Sequence, residues 1–362
     1  MRGIVYLGDR VEVTDDLAVR DPGADEVIVR LVAAGVCHSD ISVIDGTIPW
    51  PSPAVLGHEG AGIVEQIGSS VTRVAPGDHV VVATMANCGI CKWCSTGRPF
   101  YCRSSMGNVS QPFTYQGQPA SNFAGTSSFA ERTVVKEIQA VRISKEVPLT
   151  SAALLACGVV TGVGAVLNKA KVQPGQTAAV FGVGGVGLNC IQALKLSNAA
   201  RIIAVDTMAS KEALARQFGA TDFVNAAQVD TVEAVNAMLP GTGVFGEGGV
   251  DWSFECVGHP AVLRTALDIL DWGGTCVAVG VPGPGVELTV PITHFIHVER
   301  GLVGCRAGSV RPQYDIPAYA QLYLDGKLKL DELVTQTYPM EQFDTVTHDM
   351  HEGKLARGVL TF

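Results

Sequence analysis

The run Gly182-Val183-Gly184-Gly185-Val186-Gly187 constrains this chain more than any other segment. A GxGxxG run alone says little. Here an apolar run, Thr177–Phe181, leads into it, and a helix-forming stretch, Val186–Ser197, follows. A second apolar run, Arg201–Val205, then ends in Asp206. Strand, glycine turn, helix and strand in that order open a doubly wound parallel sheet. The glycines let a pyrophosphate approach backbone N–H groups at a helix N-terminus. An acid closing the second strand accepts hydrogen bonds from ribose hydroxyls and repels a 2′-phosphate, which favours NAD over NADP. Gly182, Gly184, Gly185, Val186, Gly187 and Asp206 are therefore candidate cofactor contacts. Lys211 either reaches the same ribose or is a solvated helix residue. A glycine-rich turn without a ligand is the competing reading, and the combination with strand, helix and acid argues against it.

The alternation continues on both sides of this unit. Lys211–Phe218 reads as a helix, and Val250–Glu255 and Thr275–Val279 as strands, so an α/β domain with helices on both faces of the sheet is expected. The first third differs. Short β-like runs at Val27–Val32, Ala61–Ile67 and His79–Ala83 are punctuated by Gly and Pro, which predicts a mostly β domain. Between the two lies SAALLACGVVTGVGAVL, read as one buried helix capped by Thr150. From about Arg306 the chain reads as helical and polar, ending in the strand-like GVLTF. At 362 residues two domains are expected. The net charge of −9 argues against a nucleic-acid or acidic-membrane partner.

Ten cysteines raise the question of disulfides. The chain is large, and MRGIVYLGDRVEV lacks the basic-then-apolar order of an export signal, so reduced thiols in the cytoplasm are expected. Cys88, Cys91, Cys94 and Cys102 read Cys-x2-Cys-x2-Cys-x7-Cys. Four thiolates from one loop suit a closed, structural zinc site. Cys190, Cys256, Cys276 and Cys305 read as small core residues. Cys37, in GVCHSD, and Cys157, in CGVVTG, flank His58, in GHEGAG. Two thiolates and an imidazole make a zinc site whose fourth position stays open. Spacing alone does not bring these three together.

The stretch from Gly57 reads G-H-E-x2-G-x5-G-x2-V through Gly62, Gly68 and Val71. With the four-cysteine lobe, GVCHSD, CGVVTG and GVGGVG in this order, the chain resembles the zinc-dependent medium-chain alcohol dehydrogenases over essentially its whole length. The resemblance implies a GroES-like catalytic domain from residues 1–158 and 303–362, with a Rossmann domain, 159–302, inserted. It implies two zinc ions and NAD. Cys37, His58 and Cys157 would hold the catalytic zinc, with Glu59 behind it and Asp40 orienting His58. Ser39 would hydrogen-bond the alcohol. His38 and Arg357 would contact the pyrophosphate, Thr161 would brace the nicotinamide, and Val186 and Val281 would line its pocket. From the residues alone, His38 reads equally as a surface residue, Asp40 as a helix cap and Arg357 as a tail salt bridge.

Some family members carry a histidine five residues beyond the first zinc-binding cysteine as the outer base of a proton relay. This chain has Ser42, which can pass a proton but not hold one near neutrality. By alignment of motifs the substrate pocket would include Ile48, Thr84, Phe123, Ala124, Leu302 and Val303. Thr84 and Ala124 are small, which suggests a bulky aromatic or terpenoid primary alcohol. Trp50 either closes the pocket or packs in its loop. GVCHSD and GTSSF also resemble relatives that oxidise thiol adducts of formaldehyde. A non-enzymatic superfamily member is the remote alternative. The intermediate length of the Cys102–Gly125 segment favours a homodimer over a tetramer.

Overall fold

The computed structural model describes residues 1–105, 109–241 and 248–362. Residues 106–108, part of the segment on which the dimer expectation rests, lie outside them. The chain forms two compact units, Met1–Val160 with Val310–Phe362, and Thr161–Ser309. Residues 303–309 thus fall with the second unit, because the strand Gly301–Gly304 pairs with Leu270–Ala278.

In the first unit the central strand is Glu26–Gly35, which pairs with Glu59–Ile67, Arg132–Lys136 and Arg357–Thr361. Its sequence, EVIVRLVAAG, loses polar alternation because most of its residues are buried on both faces. The register decides where the chemistry sits. Gly35 lies opposite both Glu59 and Val359. The residues just beyond, Cys37, His58 and Arg357, therefore gather at one end of the sheet. A second sheet in this unit carries Ala54–Val55 beside Gln118–Asn122 in parallel. Val334–Pro339, which pairs with the last strand, was not foreseen from the sequence.

The buried helix expected over 151–167 is broken. Leu149–Ala152 and a 3-10 turn, Ala153–Ala156, stop at Cys157 (φ −142°, ψ −71°), and Gly158–Gly164 restarts the helix. Thr150 lies inside the first turn, and the N-cap position is Pro148. No single helix among the described residues is long and apolar enough to cross a membrane.

The second unit has a six-stranded parallel sheet in the order Asp222–Asn225, Arg201–Asp206, Thr177–Phe181, Val250–Glu255, Leu270–Ala278, Gly301–Gly304. This is the 3-2-1-4-5-6 order, whose direction reverses beside Thr177–Phe181. The helix Gly185–Leu196 buries Leu188, Ile191, Ala193 and Leu194.

Candidate metal centres and nucleotide turn

Cys37 is the N-cap of the helix His38–Ile44. Three residues on, Asp40 reaches back, and its Oδ2 accepts from the Cys37 N–H at 3.1 Å. Its Oδ1 accepts from the Gly57 N–H at 3.2 Å and lies 3.1 Å from His58 Nδ1. One fully buried carboxylate thus fastens the two segments that carry Cys37 and His58. A carboxylate facing Nδ1 selects the tautomer with the proton there, which leaves Nε2 with its lone pair. Gly57 makes the turn with φ 88°, and a Cβ there would lie 2.6 Å from the Phe129 backbone nitrogen. The break at Cys157 aims the third donor at the same point. The donor atoms of Cys37, His58, Cys157 and Glu59 all lie within 4.8 Å of one another.

Arg357 forms an ion pair with Glu59, and both are buried. The Arg357 guanidinium is directed at Glu59, and the residue is 6% exposed. Glu59 Oε1 and Arg357 Nε have no hydrogen-bond partner.

Burial forces these ionisable groups apart. Cys37 is held well below the ordinary thiol range by the hydrogen bond from Cys157, and by the charges of His58 and Arg357 acting against burial. The same hydrogen bond, burial and the Cys37 charge push Cys157 well up. Burial acts to lower His58, but Asp40 and Cys37 outweigh it and raise the imidazole well above its usual value. Burial also raises Glu59, against the pull of Arg357. The bond between the two sulfurs favours the thiolate on Cys37 and the thiol on Cys157. A divalent cation would remove that asymmetry and set a positive charge near the orphaned Glu59 oxygen. Two thiols and an imidazole suit zinc in a site with an open position.

Around these donors, Ser39 is half-buried in the first turn of its helix, Ser42 is half-buried one turn on, and His38 is exposed. The Phe123 ring meets the His58 imidazole edge-on at 5.6 Å and the Trp50 ring at 5.0 Å. Trp50 Nε1 donates to the Asn122 carbonyl at 2.9 Å. Ile48, Trp50 and Ala124 pack against the core that contains Phe123. Thr84 is half-buried. Leu302 and Val303 lie on the edge strand of the second unit, with Leu302 exposed.

The four-cysteine lobe converges as its spacing suggests. Cys91 Sγ lies 3.6 Å from Cys94 Sγ, and Cys102 Sγ 3.7 Å from Cys88 Sγ. All four sulfurs are within 4.8 Å of one another. Burial pushes Cys102 up, but N–H groups of Cys88 and Ser104 and neighbouring thiols bring it to about 6. Burial and the thiols of Cys91 and Cys102 push Cys94 to about 12. Here too the crowding pushes neighbouring thiols in opposite directions. Lys92 and Arg98 lie over the Trp93 ring at 4.6 and 5.0 Å.

In the second unit, Gly182 turns the chain out of its strand with φ 86°, and Gly184 is the N-cap of Gly185–Leu196. A Cβ on Gly187 would sit 1.9 Å from the Gly182 carbonyl oxygen, whereas one on Gly184 would meet nothing within 4 Å. The second case leaves a backbone cradle open at the helix start, which fits a pyrophosphate. Asp206 Oδ2 accepts from the Val183 N–H at 2.8 Å and Oδ1 from the Met208 N–H at 3.0 Å, with Lys211 Nζ at 3.4 Å from Oδ2. Thr161 and Val186 are half-buried, and Val281 is 78% exposed.

Sequence reasoning missed Asn122 and the inward Arg357. Both act through partners distant in the chain, 72 residues from Asn122 to Trp50 and 298 from Glu59 to Arg357, and no local pattern marks either.

Residues 23–145 match the profile of the alcohol dehydrogenase GroES-like domain, and residues 185–325 that of the zinc-binding dehydrogenase domain. The chain is 38% identical to an S-(hydroxymethyl)glutathione dehydrogenase of Escherichia coli O157:H7, over 98% of this chain and 97% of that one. Among solved structures, benzyl alcohol dehydrogenase from Acinetobacter calcoaceticus superposes with a TM-score of 0.92 at 33% identity, over 100% of this chain and 99% of that one. An alcohol dehydrogenase zinc-binding domain protein from Burkholderia ambifaria gives 0.93 at 36% identity, over 100% and 98%. With both domain profiles matched and relatives aligned from end to end, the chain belongs to the zinc-dependent medium-chain alcohol dehydrogenase family.

Proposed function

We propose that this enzyme catalyses reversible hydride transfer between a bulky primary alcohol, aromatic or terpenoid, and NAD. What supports the substrate class is the apolar cluster of Ile48, Trp50 and Phe123, whose Phe123 ring meets His58 edge-on. The choice of NAD rests on Asp206 at the end of the second strand, where a 2′-phosphate would meet a carboxylate. A zinc ion held by Cys37, His58 and Cys157 would supply Lewis acidity to the substrate hydroxyl, as it lowers the pKa of bound water to about 7. A second zinc would hold the lobe of Cys88, Cys91, Cys94 and Cys102.

The chain's own residues do the rest. Asp40 holds the His58 tautomer and ties its segment to that of Cys37. Glu59 and Arg357 keep a balanced charge pair behind the donors. Ser39 takes the proton from the alcohol, and Ser42, one turn further along the same helix, passes it outward. Because serine does not store a proton, the last acceptor is water. Ser42→His would add a group of ordinary pKa about 6.5. Only the neutral imidazole accepts a proton, so alcohol oxidation by this variant should gain a rising step with pH near that value. An unaltered pH profile would remove Ser42 from the path.

A second reading has support too. The 38% identity to S-(hydroxymethyl)glutathione dehydrogenase favours a thiol adduct of formaldehyde as substrate. Such a carrier has carboxylates to anchor, yet no Lys or Arg occurs between Arg30 and Arg73, the stretch that includes the loop of Ile48 and Trp50. We therefore rank it second. The test is kcat/KM for benzyl alcohol against the glutathione–formaldehyde adduct, each with NAD and NADP. A strong preference for the adduct would sink the first reading. We also assign the enzyme to the cytoplasm as a homodimer, which light scattering on the purified protein would check.

A further inference from the structure

Three bonds tie Asn122 to Ser110. The Asn122 N–H donates to the Ser110 carbonyl at 2.9 Å, the Ser110 N–H donates to Asn122 Oδ1 at 3.0 Å, and Asn122 Nδ2 donates to Ser110 Oγ at 3.0 Å. The residue is buried. Its strand, Gln118–Asn122, also pairs with Ala54–Val55, with Val55 opposite Asn122. The end of that strand is therefore fixed from two sides. Its last carbonyl is the acceptor for Trp50 Nε1. The next residue, Phe123, lies edge-on to both Trp50 and His58. Past Phe123 the chain turns through left-handed backbone at Ala124, Gly125 and Ser127. Ser127 Oγ accepts from the Phe123 N–H at 2.9 Å and donates to the Val55 carbonyl at 2.8 Å.

An indole on a surface loop has two χ angles free. A ring held at its edge by one hydrogen bond and on its side by another ring has neither. The carbonyl that holds Trp50 is in turn positioned by the Asn122 side chain. We propose that Asn122 is a positioning residue: through its clamp on Ser110 it fixes Trp50 as a rigid wall beside the metal-binding end of the sheet, and so selects flat aromatic alcohols over short aliphatic ones. The selection rests on the substrate class proposed above; the clamp itself does not.

Asn122→Ala removes both side-chain bonds to Ser110. Zinc-loaded enzyme carrying it should show KM for benzyl alcohol raised about 5–10-fold with kcat within twofold, and KM for ethanol unchanged. Asn122→Asp keeps the acceptor for the Ser110 N–H and should recover most of the loss. Ser110→Ala, which removes one bond at an exposed residue, should give a smaller change in the same direction, and it serves if Asn122→Ala does not fold. Hydrogen exchange at the Trp50 indole, its NMR signal assigned by its loss in Trp50→Phe, reads the clamp without any substrate. It should speed up at least tenfold in Asn122→Ala, or measurably in Ser110→Ala. Unchanged exchange would overturn the clamp whatever the substrate. Faster exchange with equal KM changes for both alcohols would overturn the selective role. Faster exchange in an enzyme that turns over only the glutathione adduct would refute the substrate class and leave the clamp standing.

Discussion

A single carboxylate organises the open metal-binding set. Asp40 bonds the Cys37 N–H, the Gly57 N–H and His58 Nδ1, so it fixes two donors and one tautomer at once. Asn at this position keeps the shape but turns one acceptor into a donor, which then faces an N–H group. Losing such a partner behind a metal-ligating histidine costs about 10–100-fold in metal affinity. Asp40→Asn should therefore release one zinc per chain to a chelator at about 10–100-fold lower chelator concentration than the parent, with the other zinc unmoved. Equal retention of both would remove Asp40 from this role. The sequence makes Asp40 legible, because an acid three residues after a candidate ligand is a local pattern. The pairing of Arg357 with Glu59 is not legible. An arginine ahead of GVLTF looks the same whether its guanidinium faces water or the sheet end, and only the register of Val359 against Gly35 decides it.

Elements were legible where their periodicity was undisturbed and misread where a candidate metal ligand interrupts them. The strands Thr177–Phe181 and Val250–Glu255 stand where their apolar runs place them. The stretch around Cys157 does not, because its composition is helical throughout while Cys157 leaves helical φ and ψ to present a sulfur. The glycine turn separates structure from function residue by residue. A methyl on Gly187 collides with the Gly182 carbonyl, whereas one on Gly184 meets no protein atom, at a φ of −98° that any residue adopts. Gly187→Ala should therefore lower stability by about 1–3 kcal/mol through overpacking. Gly184→Ala should leave stability within about 0.5 kcal/mol. It should nonetheless weaken NAD binding about tenfold or more, since its methyl occupies the backbone cradle that an anion would approach. Urea melts and calorimetric titration with NAD separate the two effects. Equal loss of stability in both variants would contradict this division.

At the scale of the molecule, the zinc-ligand candidates divide into two kinds of set within the first unit. The lobe offers four sulfurs and no other donor, so a bound ion there is saturated. The sheet-end set offers two sulfurs and an imidazole; the fourth position is left to an oxygen, from a substrate or from Glu59, whose Oε2 meets Arg357 and whose Oε1 has no partner. The lobe is built from one short loop, and the other set from three segments brought together by sheet register and a helix break. Their dependence on the fold should differ accordingly. The parent enzyme should carry two zinc ions per chain by elemental analysis. Cys94→Ser should retain one, the sheet-end ion, and should melt at a lower temperature, because a loop that loses its metal loses the interaction that orders it. Cys157→Ser should also retain one ion but should abolish turnover while leaving the lobe's zinc tightly held. A parent enzyme with a single zinc would show that one of the two sets does not bind metal. Loss of both ions from either variant would show that the two sets do not act independently.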